Sequence, residues 1–446
     1  MKNQIVKPSI LPGFMELLPH DQIAFNRMMD TIRRNFEKYG FLPIDTPIIE
    51  KSEILLAKGG GETEKQIYRF NKGDSDLSLR FDLTVPLARY VSQYMSSLAF
   101  PFRRYQIGKV YRGERNQKGR FREFYQCDID IIGNGKLNII NDAEIPSIIY
   151  STFKDLGFDA FSIRINNRRV LNGFFDSLGV ADKGEVLRTI DKLDKIGLDA
   201  VKAELSAICQ NDTAVEKIME FVGIQGSSQE VLDALGQLGI ANDVFAEGLE
   251  ELSKVVHFIK LFGVPEKNCR IDLKIARGLD YYTGTVYETI LDDYPNIGSV
   301  CSGGRYDNLA EYYTEQKLPG VGISIGLTRL FYQLREAGIA LGNEAASLTQ
   351  VLVIPMDEDV EHAVMTANRL RDEGIITEVY MEEAKTAKKL AYANKLGIPF
   401  AVLIGEEEIS SNMLTLKDMK QGGQKKLTVE GIIGEITVSK SGLEFV

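Results

Sequence analysis

Tyr105-Gln106-Ile107-Gly108-Lys109-Val110-Tyr111-Arg112 and Phe124-Tyr125-Gln126-Cys127-Asp128-Ile129-Asp130-Ile131 are the two stretches on which the architecture turns. Both alternate. Tyr105, Ile107, Lys109 and Tyr111 share one side of the first, and Phe124, Gln126, Asp128 and Asp130 share one side of the second. A period of two marks a β-strand, whose successive side chains point to opposite faces. Two strands are therefore predicted, flanking a basic, glycine-containing loop. The second strand gathers Phe124, Gln126 and Asp130 on one face: an aromatic plane, an amide and a carboxylate. Guanidinium groups nearby suit two-pronged contact with phosphate. A nucleotide together with a cationic small molecule fits that face.

The basic character extends over residues 103–122, where Arg103, Arg104, Lys109, Arg112, Arg115, Lys118, Arg120 and Arg122 are accompanied by one acid, Glu114. Charge alone leaves two readings open, a solvated cationic face or an anion-binding loop. Upstream, residues 77–84 alternate too: Leu77, Leu79, Phe81 and Leu83 against Ser78, Arg80, Asp82 and Thr84. Asp82 and Thr84 then point together, although Thr84 also suits the N-cap of a helix with Pro86 in its first turn. Phe25, Met28, Met29, Ile32 and Phe36 recur at helical spacing between a cap at Asp21 and a stop at Gly40. Next comes Gly40-Phe41-Leu42-Pro43-Ile44-Asp45-Thr46-Pro47, whose two prolines suit an edge or subunit-boundary strand.

The whole chain excludes several classes of function. Its 446 residues exceed one hydrophobic core, so two or three domains are expected. With 44% hydrophobic and 26% charged residues it has the composition of a soluble globular protein, and no apolar run reaches membrane-spanning length. The first residues lack a secretory signal, so a cytosolic location is expected. Cys127, Cys209, Cys269 and Cys301 are scattered singly, against disulfides and structural zinc. His20, His257 and His362 lie in no hydrolase or zincin setting. A net charge of −10 argues against general polyanion binding, so nucleic-acid contact must come from a local patch.

Further along stands Ala276-Arg277-Gly278-Leu279-Asp280-Tyr281-Tyr282-Thr283-Gly284, followed by Cys301-Ser302-Gly303-Gly304-Arg305-Tyr306-Asp307. Last comes Gly320-Val321-Gly322-Ile323-Ser324-Ile325-Gly326-Leu327-Thr328-Arg329-Leu330. Glycines there let backbone approach a ligand or another strand. Their spacing is not that of a dinucleotide loop, and Glu344 does not follow a second strand, so a Rossmann site is rejected.

Taken in order, these motifs resemble the histidyl-tRNA synthetases along essentially the full length. Residues 40–47 resemble motif 1 of class II synthetases, Tyr111-Arg112-Gly113-Glu114-Arg115 through Asp130 resembles motif 2, and residues 322–330 resemble motif 3. Leu79-Arg80-Phe81-Asp82-Leu83-Thr84-Val85-Pro86, Tyr125-Gln126-Cys127-Asp128-Ile129-Asp130 and, above all, Arg277-Gly278-Leu279-Asp280-Tyr281-Tyr282 carry the likeness to the histidine enzymes. The resemblance implies activation of histidine with ATP, with Mg2+ accompanying pyrophosphate, and transfer to tRNA(His). Arg112 and Arg277 are the expected catalytic residues, Arg112 on the α-phosphate and Arg277 by the substrate carboxylate. Asp82, Thr84 and Gln126 are expected at the α-ammonium group, Asp130 and Tyr282 at the imidazole, and Tyr281 and Tyr306 in the pocket wall. For ATP the resemblance implies Arg112, Glu114 at the adenine amino group, Arg120 at the outer phosphates, and Phe124 and Arg329 around the adenine ring. It names no metal ligands. Motif 1 implies a homodimer.

The implied fold class is α/β: an α+β catalytic domain with an antiparallel sheet of the class II type over 1–335, interrupted by a helical insertion at about 171–262. Within it, residues 183–196 read as a helix and Gly226-Ser227-Ser228 as a linker. An α/β anticodon-binding domain with a parallel sheet is expected over 347–446, from the apolar runs at 351–355 and 400–405. Those last hundred residues hold 11 Lys and Arg against 16 Asp and Glu, so only the run Lys385, Lys388, Lys389 and Lys395 offers a basic surface. Two rivals stand beside this reading: a class II enzyme for another amino acid, against which the histidine signature speaks, and a noncatalytic paralogue, such as a regulatory subunit of ATP phosphoribosyltransferase. Such paralogues typically lack the last domain and parts of the motifs, which this chain retains.

Overall fold

The computed structural model describes residues 6–57, 62–114, 119–190, 192–275, 282–339, 347–356 and 360–441. By contact the chain divides into two compact units, Met1–Met15 with Met28–Gly338 and Glu16–Arg27 with Ile339–Val446. The start of the helix Pro19–Lys38 therefore groups with the second unit.

The first unit is built on an eight-stranded sheet. Its spatial order is Leu42–Pro43, Phe102–Tyr111, Glu123–Ile132, Gly320–Ile325, Ser299–Tyr306, Thr285–Leu291, Phe161–Asn167 and Cys269–Ile271. Pairing is antiparallel throughout the middle and parallel only where the two end strands join. Phe102–Tyr111 and Glu123–Ile132 form a hairpin that sets Arg104 opposite Asp130 and Gln106 opposite Asp128. Leu42–Pro43 is the edge strand that its prolines suit, with Leu42 60% exposed.

Residues 77–84 depart from a single strand. Pairing runs over Ser75–Leu79 in a separate three-stranded sheet, and Thr84–Tyr94 is helical. Arg80 ends the strand: its buried guanidinium donates to the carbonyls of Lys109 and Thr46. Asp82 then caps the helix, its Oδ1 accepting from the Val85 N–H at 3.1 Å, while Thr84 is the first helical residue. Asp82 and Thr84 are neighbours because a helix starts there, not through strand pleating.

The insertion is helical, between Arg168–Ser177 and Asp243–Leu261. Those two helices approach closely at Gly173, where a Cβ would lie 2.4 Å from the Phe245 nitrogen. The predicted helix over 183–196 is divided into Lys183–Ile190 and Leu193–Ile196. Ser227 is no linker residue: it caps Ser228–Gln237 in a reciprocal box with Glu230.

In the second unit the sheet order is Thr377–Val379, Val351–Pro355, Phe400–Ile404, Leu414–Asp418 and Gln424–Leu427. The first three strands are parallel as expected, but the last two are antiparallel. A tight return can join only antiparallel neighbours, and the few residues between Asp418 and Gln424 leave no room for a crossover helix. Val351 and Val353 pack with Ala367, Leu370 and Ile432, while Leu352 and Ile354 pack with Ala393 and Leu403. Apolar cover on both faces explains the unbroken apolar run. Lys389 also departs from the expected basic surface, because it is buried and donates to the Pro355 carbonyl at 2.7 Å.

Candidate active site

A cavity of about 350 Å³ lies over three adjacent central strands, Glu123–Ile132, Gly320–Ile325 and Ser299–Tyr306. Phe124, Gln126, Asp128 and Asp130 all line it, as alternation along one strand requires. Six residue steps separate Phe124 from Asp130, about 20 Å of extended strand, so the cavity has two chemically distinct ends.

The Asp130 end is anionic and deeply buried. Asp82, Asp128 and Asp130 are each nearly inaccessible, and burial pushes their carboxyls up, to about 6, about 7 and about 6. Arg104, wholly buried, faces them: its Nη2 lies 2.5 Å from Asp130 Oδ2. Tyr306 donates from its hydroxyl to Asp130 Oδ1 at 2.7 Å. Gln126 donates from Nε2 to Ser324 Oγ at 2.6 Å. Asp82 Oδ2 and Gln126 Oε1 have no hydrogen-bond partner among the described residues, although both are buried. Buried acceptors left in that state are costly unless a donor arrives. Three carboxylates against one guanidinium suit a cationic ligand.

Glycine makes the approach possible. Gly322 pairs across the sheet with Asp130, and a Cβ there would sit 2.3 Å from both the Asp130 carboxylate and the Ile129 carbonyl. A Cβ at Gly304 would meet the Tyr282 ring at 2.9 Å.

The Phe124 end is cationic. Arg112 donates to the Phe81 carbonyl at 3.0 Å and lies over the Phe124 ring, 5.1 Å from its centroid. Arg120 pairs with Glu114 at 3.1 Å, and Arg329 donates to the Ile297 carbonyl at 3.0 Å. The basic run of 103–122 is thus no single surface. Arg103 is tied to Glu144 and Lys109 to Glu123, Arg104 is internal, and Arg112 and Arg120 line the cavity.

Against this geometry, the family described as Histidyl-tRNA synthetase matches residues 13–330, and the Anticodon binding domain family matches residues 350–438. A histidine–tRNA ligase of Clostridium tetani is 67% identical, the alignment covering 97% of this chain and 99% of the relative.

The chain belongs to the histidyl-tRNA synthetase family.

A crystal structure of a histidyl-tRNA synthetase from a Nostoc species has a TM-score of 0.90 at 40% identity, over 98% of this chain and 100% of that one. A Bacillus halodurans protein described as an ATP phosphoribosyltransferase regulatory subunit/histidyl-tRNA synthetase shares the fold alone. Its TM-score is 0.73 at 21% identity, over 87% of this chain and 97% of that one. The mixed architecture, an antiparallel-rich sheet with a C-terminal anticodon-binding domain, is that of the histidyl-tRNA synthetases. The chain is an aminoacyl-tRNA synthetase, a ligase that activates histidine with ATP and attaches it to tRNA.

The cavity brings together Asp82, Thr84, Arg112, Glu114, Arg120, Phe124, Gln126, Asp130, Tyr282 and Arg329, all expected from the sequence. Arg277 and Tyr281 lie outside the described residues. Arg104, Asp128 and Ser324 were not singled out as site residues. Their signal is the hairpin register, which sets Arg104 against Asp130, and the neighbouring pairing, which sets Ser324 against Asp128. Cys301 also lines the cavity, but burial pushes its thiol far up, so it stays neutral and supplies no nucleophile. Among the described residues no group of three His, Cys, Asp or Glu could hold a metal ion.

Proposed function

We propose that this cavity is where histidine and ATP react and where the histidyl group passes to the 3′ end of tRNA(His). In the first step a histidine carboxylate oxygen attacks the α-phosphorus and pyrophosphate leaves in line. In the second a terminal ribose hydroxyl attacks the carbonyl carbon, AMP departs, and the hydroxyl proton goes to solvent. Neither step needs a protein nucleophile. Charge accumulates on phosphate oxygens, so preorganised cations and positioning carry the catalysis.

The observation that carries the assignment is the pair of buried acceptors, Asp82 Oδ2 and Gln126 Oε1, without partners among the described residues at the anionic end. An α-ammonium group has three donors, enough for these two acceptors and one more. Thr84, beside Asp82 at the helix start, completes that contact. Asp130, held by Arg104 and Tyr306, presents a carboxylate to one imidazole nitrogen, and the Tyr282 hydroxyl meets the other. A site that pairs both nitrogens rejects apolar isosteres, whose binding leaves buried polar groups unmatched. The signature implies a part in histidine binding for Tyr281 as well.

At the other end Arg112 turns to the α-phosphate, Arg120 to the outer phosphates and Glu114 to the adenine amino group, with the base between Phe124 and Arg329. The signature assigns Arg277 to the substrate carboxylate and the α-phosphate, where its positive charge adds to that of Arg112. ATP enters as its magnesium complex, the ion held by phosphate oxygens; no protein ligand is assigned to it. Residues 1–335 do this chemistry, with the helical insertion of about 171–262 over the acceptor arm, and 347–446 reads the anticodon. The active form is a homodimer working in the cytosol, where tRNA is charged for translation.

Asp130→Asn tests the assignment, because an amide in place of the carboxylate loses a charged acceptor at the imidazole end only. The histidine KM should rise about tenfold or more while the ATP KM stays within about threefold. Equal rises in both would show that Asp130 does not read the imidazole.

A further inference from the structure

Arg80, Arg104 and Arg305 are all buried in the first unit, and they are held differently. Arg80 donates to the carbonyls of Lys109 and Thr46. Arg305 closes on both oxygens of Asp142 and reaches the carbonyls of Leu137 and Asn138. Those two tie chain segments together. Arg104 Nη2 lies 2.5 Å from Asp130 Oδ2 and 3.4 Å from the Leu83 carbonyl, while its Nε and Nη1 have no hydrogen-bond partner among the described residues. A buried guanidinium so incompletely paired burdens the fold. Its nearest partner is a carboxylate of the cavity wall, so its use is to be sought in the site.

Both oxygens of that carboxylate are engaged from the protein side. Oδ2 faces Arg104, and Oδ1 accepts from the Tyr306 hydroxyl at 2.7 Å. A guanidinium has donors only, so a proton on Oδ2 would meet another donor. A proton on Oδ1 would displace that of Tyr306, and burial pushes the Tyr306 phenol well up, so it stays a neutral donor. Asp130 is thereby left with lone pairs alone for the cavity. Burial pushes its carboxyl up to about 6, and the Arg104 charge is the strongest influence drawing it down, ahead of the Tyr306 hydrogen bond. The other ionisable groups lining this end, Asp82, Asp128, Tyr282 and Tyr306, bring no positive charge in its place. Without the guanidinium the Asp130 carboxyl takes up a proton and becomes able to donate.

We propose that Arg104 is a specificity-determining positioning residue: by holding Asp130 as an acceptor, it makes an N–H on the substrate ring a condition of acceptance. Arg104 acts through Asp130 and is not itself among the described residues that line the cavity. The proposal rests on the reading that Asp130 meets the imidazole.

Two histidine isosteres test it, β-(thiazol-4-yl)-L-alanine and β-(thiazol-5-yl)-L-alanine. Each ring has one nitrogen that accepts and none that donates, and the two isomers place it at the two nitrogen positions of imidazole. Both keep the ammonium and the carboxylate. Amino-acid-dependent exchange of labelled pyrophosphate into ATP is measured on the full chain with histidine and each isostere, for the parent, Arg104→Met, Arg104→Gln, Arg104→Lys and Asp130→Asn. The parent should prefer histidine by about a hundredfold or more in kcat/KM. Arg104→Met and Arg104→Gln should cut the preference over one isomer, the one whose nitrogen falls at Asp130, by about tenfold or more, with the ATP KM within about threefold. The preference over the other isomer should move much less. Arg104→Lys, which keeps the charge, should stay near the parent.

Lower activity with histidine and an intact preference over both isomers would make Arg104 a support of the fold and overturn the proposal. An Arg104→Lys variant that loses the preference as Arg104→Met does would overturn it too, because charge would not be the cause. If Asp130→Asn lowers the preference and Arg104→Gln does not, the proposal falls while the reading of Asp130 stands. If Asp130→Asn leaves the preference at the parent value, both fall. Thermal melting identifies the folded variants; should Arg104→Met fail to fold, Arg104→Gln against Arg104→Lys decides the matter.

Discussion

Three carboxylates and one guanidinium share the inner end of the cavity, and their titration follows from that crowding. Asp82, Asp128 and Asp130 are pushed up by burial to about 6, 7 and 6, above the usual carboxylate range. Between that range and those values the folded chain therefore binds more protons than the unfolded chain. Stability from these groups is present at low pH and falls as pH rises. Asp128→Asn removes one such titration, so the variant's melting temperature should gain on the parent's from about pH 4 to about pH 7 and level off above that. A difference that stays flat across that interval would mean that burial does not govern Asp128. A cationic group brought to that end would offset the same cost.

Some of this was legible in the residues. Alternation placed Phe124, Gln126, Asp128 and Asp130 on one face, and the cavity has them there. Arg104 was not legible as a buried hub, because among eight basic residues in twenty nothing local marks the one that turns inward. Its burial is decided by the partner strand, where Asp130 stands opposite.

At the scale of elements, sequence pattern located strands and helices better than it located their joints. Residues 77–84 read as one alternating run, yet the strand stops at Leu79 because Arg80 is drawn into carbonyls of other segments. Gly226-Ser227-Ser228 read as a linker, yet Ser227 closes a capping box with Glu230, two residues whose spacing of three was the available signal. Long-range carbonyls leave no such mark. The edge strand Leu42–Pro43 was expected from its prolines, and near it in sequence stand exposed apolar side chains, Leu42, Ile48 and Ile49. Exposed apolar clusters of that kind mark interfaces. If this edge joins two copies, sedimentation of the parent gives twice the chain mass and Leu42→Arg shifts it toward the single-chain mass. A parent that sediments as one chain would contradict the dimer.

Over the whole molecule, an acidic chain must bind an anionic partner through local surfaces. In the second unit Lys385, Lys388 and Lys395 are exposed while Lys389 is internal, so the expected basic run is reduced to three residues. Its mixed sheet was only half legible, since the apolar runs at 351–355 and 400–404 reveal parallel strands but not the hairpin that follows. If 347–446 engages tRNA, Lys385→Glu with Lys388→Glu should raise the tRNA KM several-fold and steepen with salt removal, as phosphate contacts do. Histidine-dependent pyrophosphate exchange, which needs no tRNA, should be unchanged. Equal loss of both activities would show that these lysines act on the fold rather than on RNA.

Exchange of labelled pyrophosphate into ATP, run on the full chain with each amino acid in turn, tests the central claim most directly. A cavity whose anionic end pairs an ammonium group and both imidazole nitrogens should support exchange with L-histidine and with no other natural amino acid. Absence of exchange with histidine, or equal exchange with another amino acid, would contradict it.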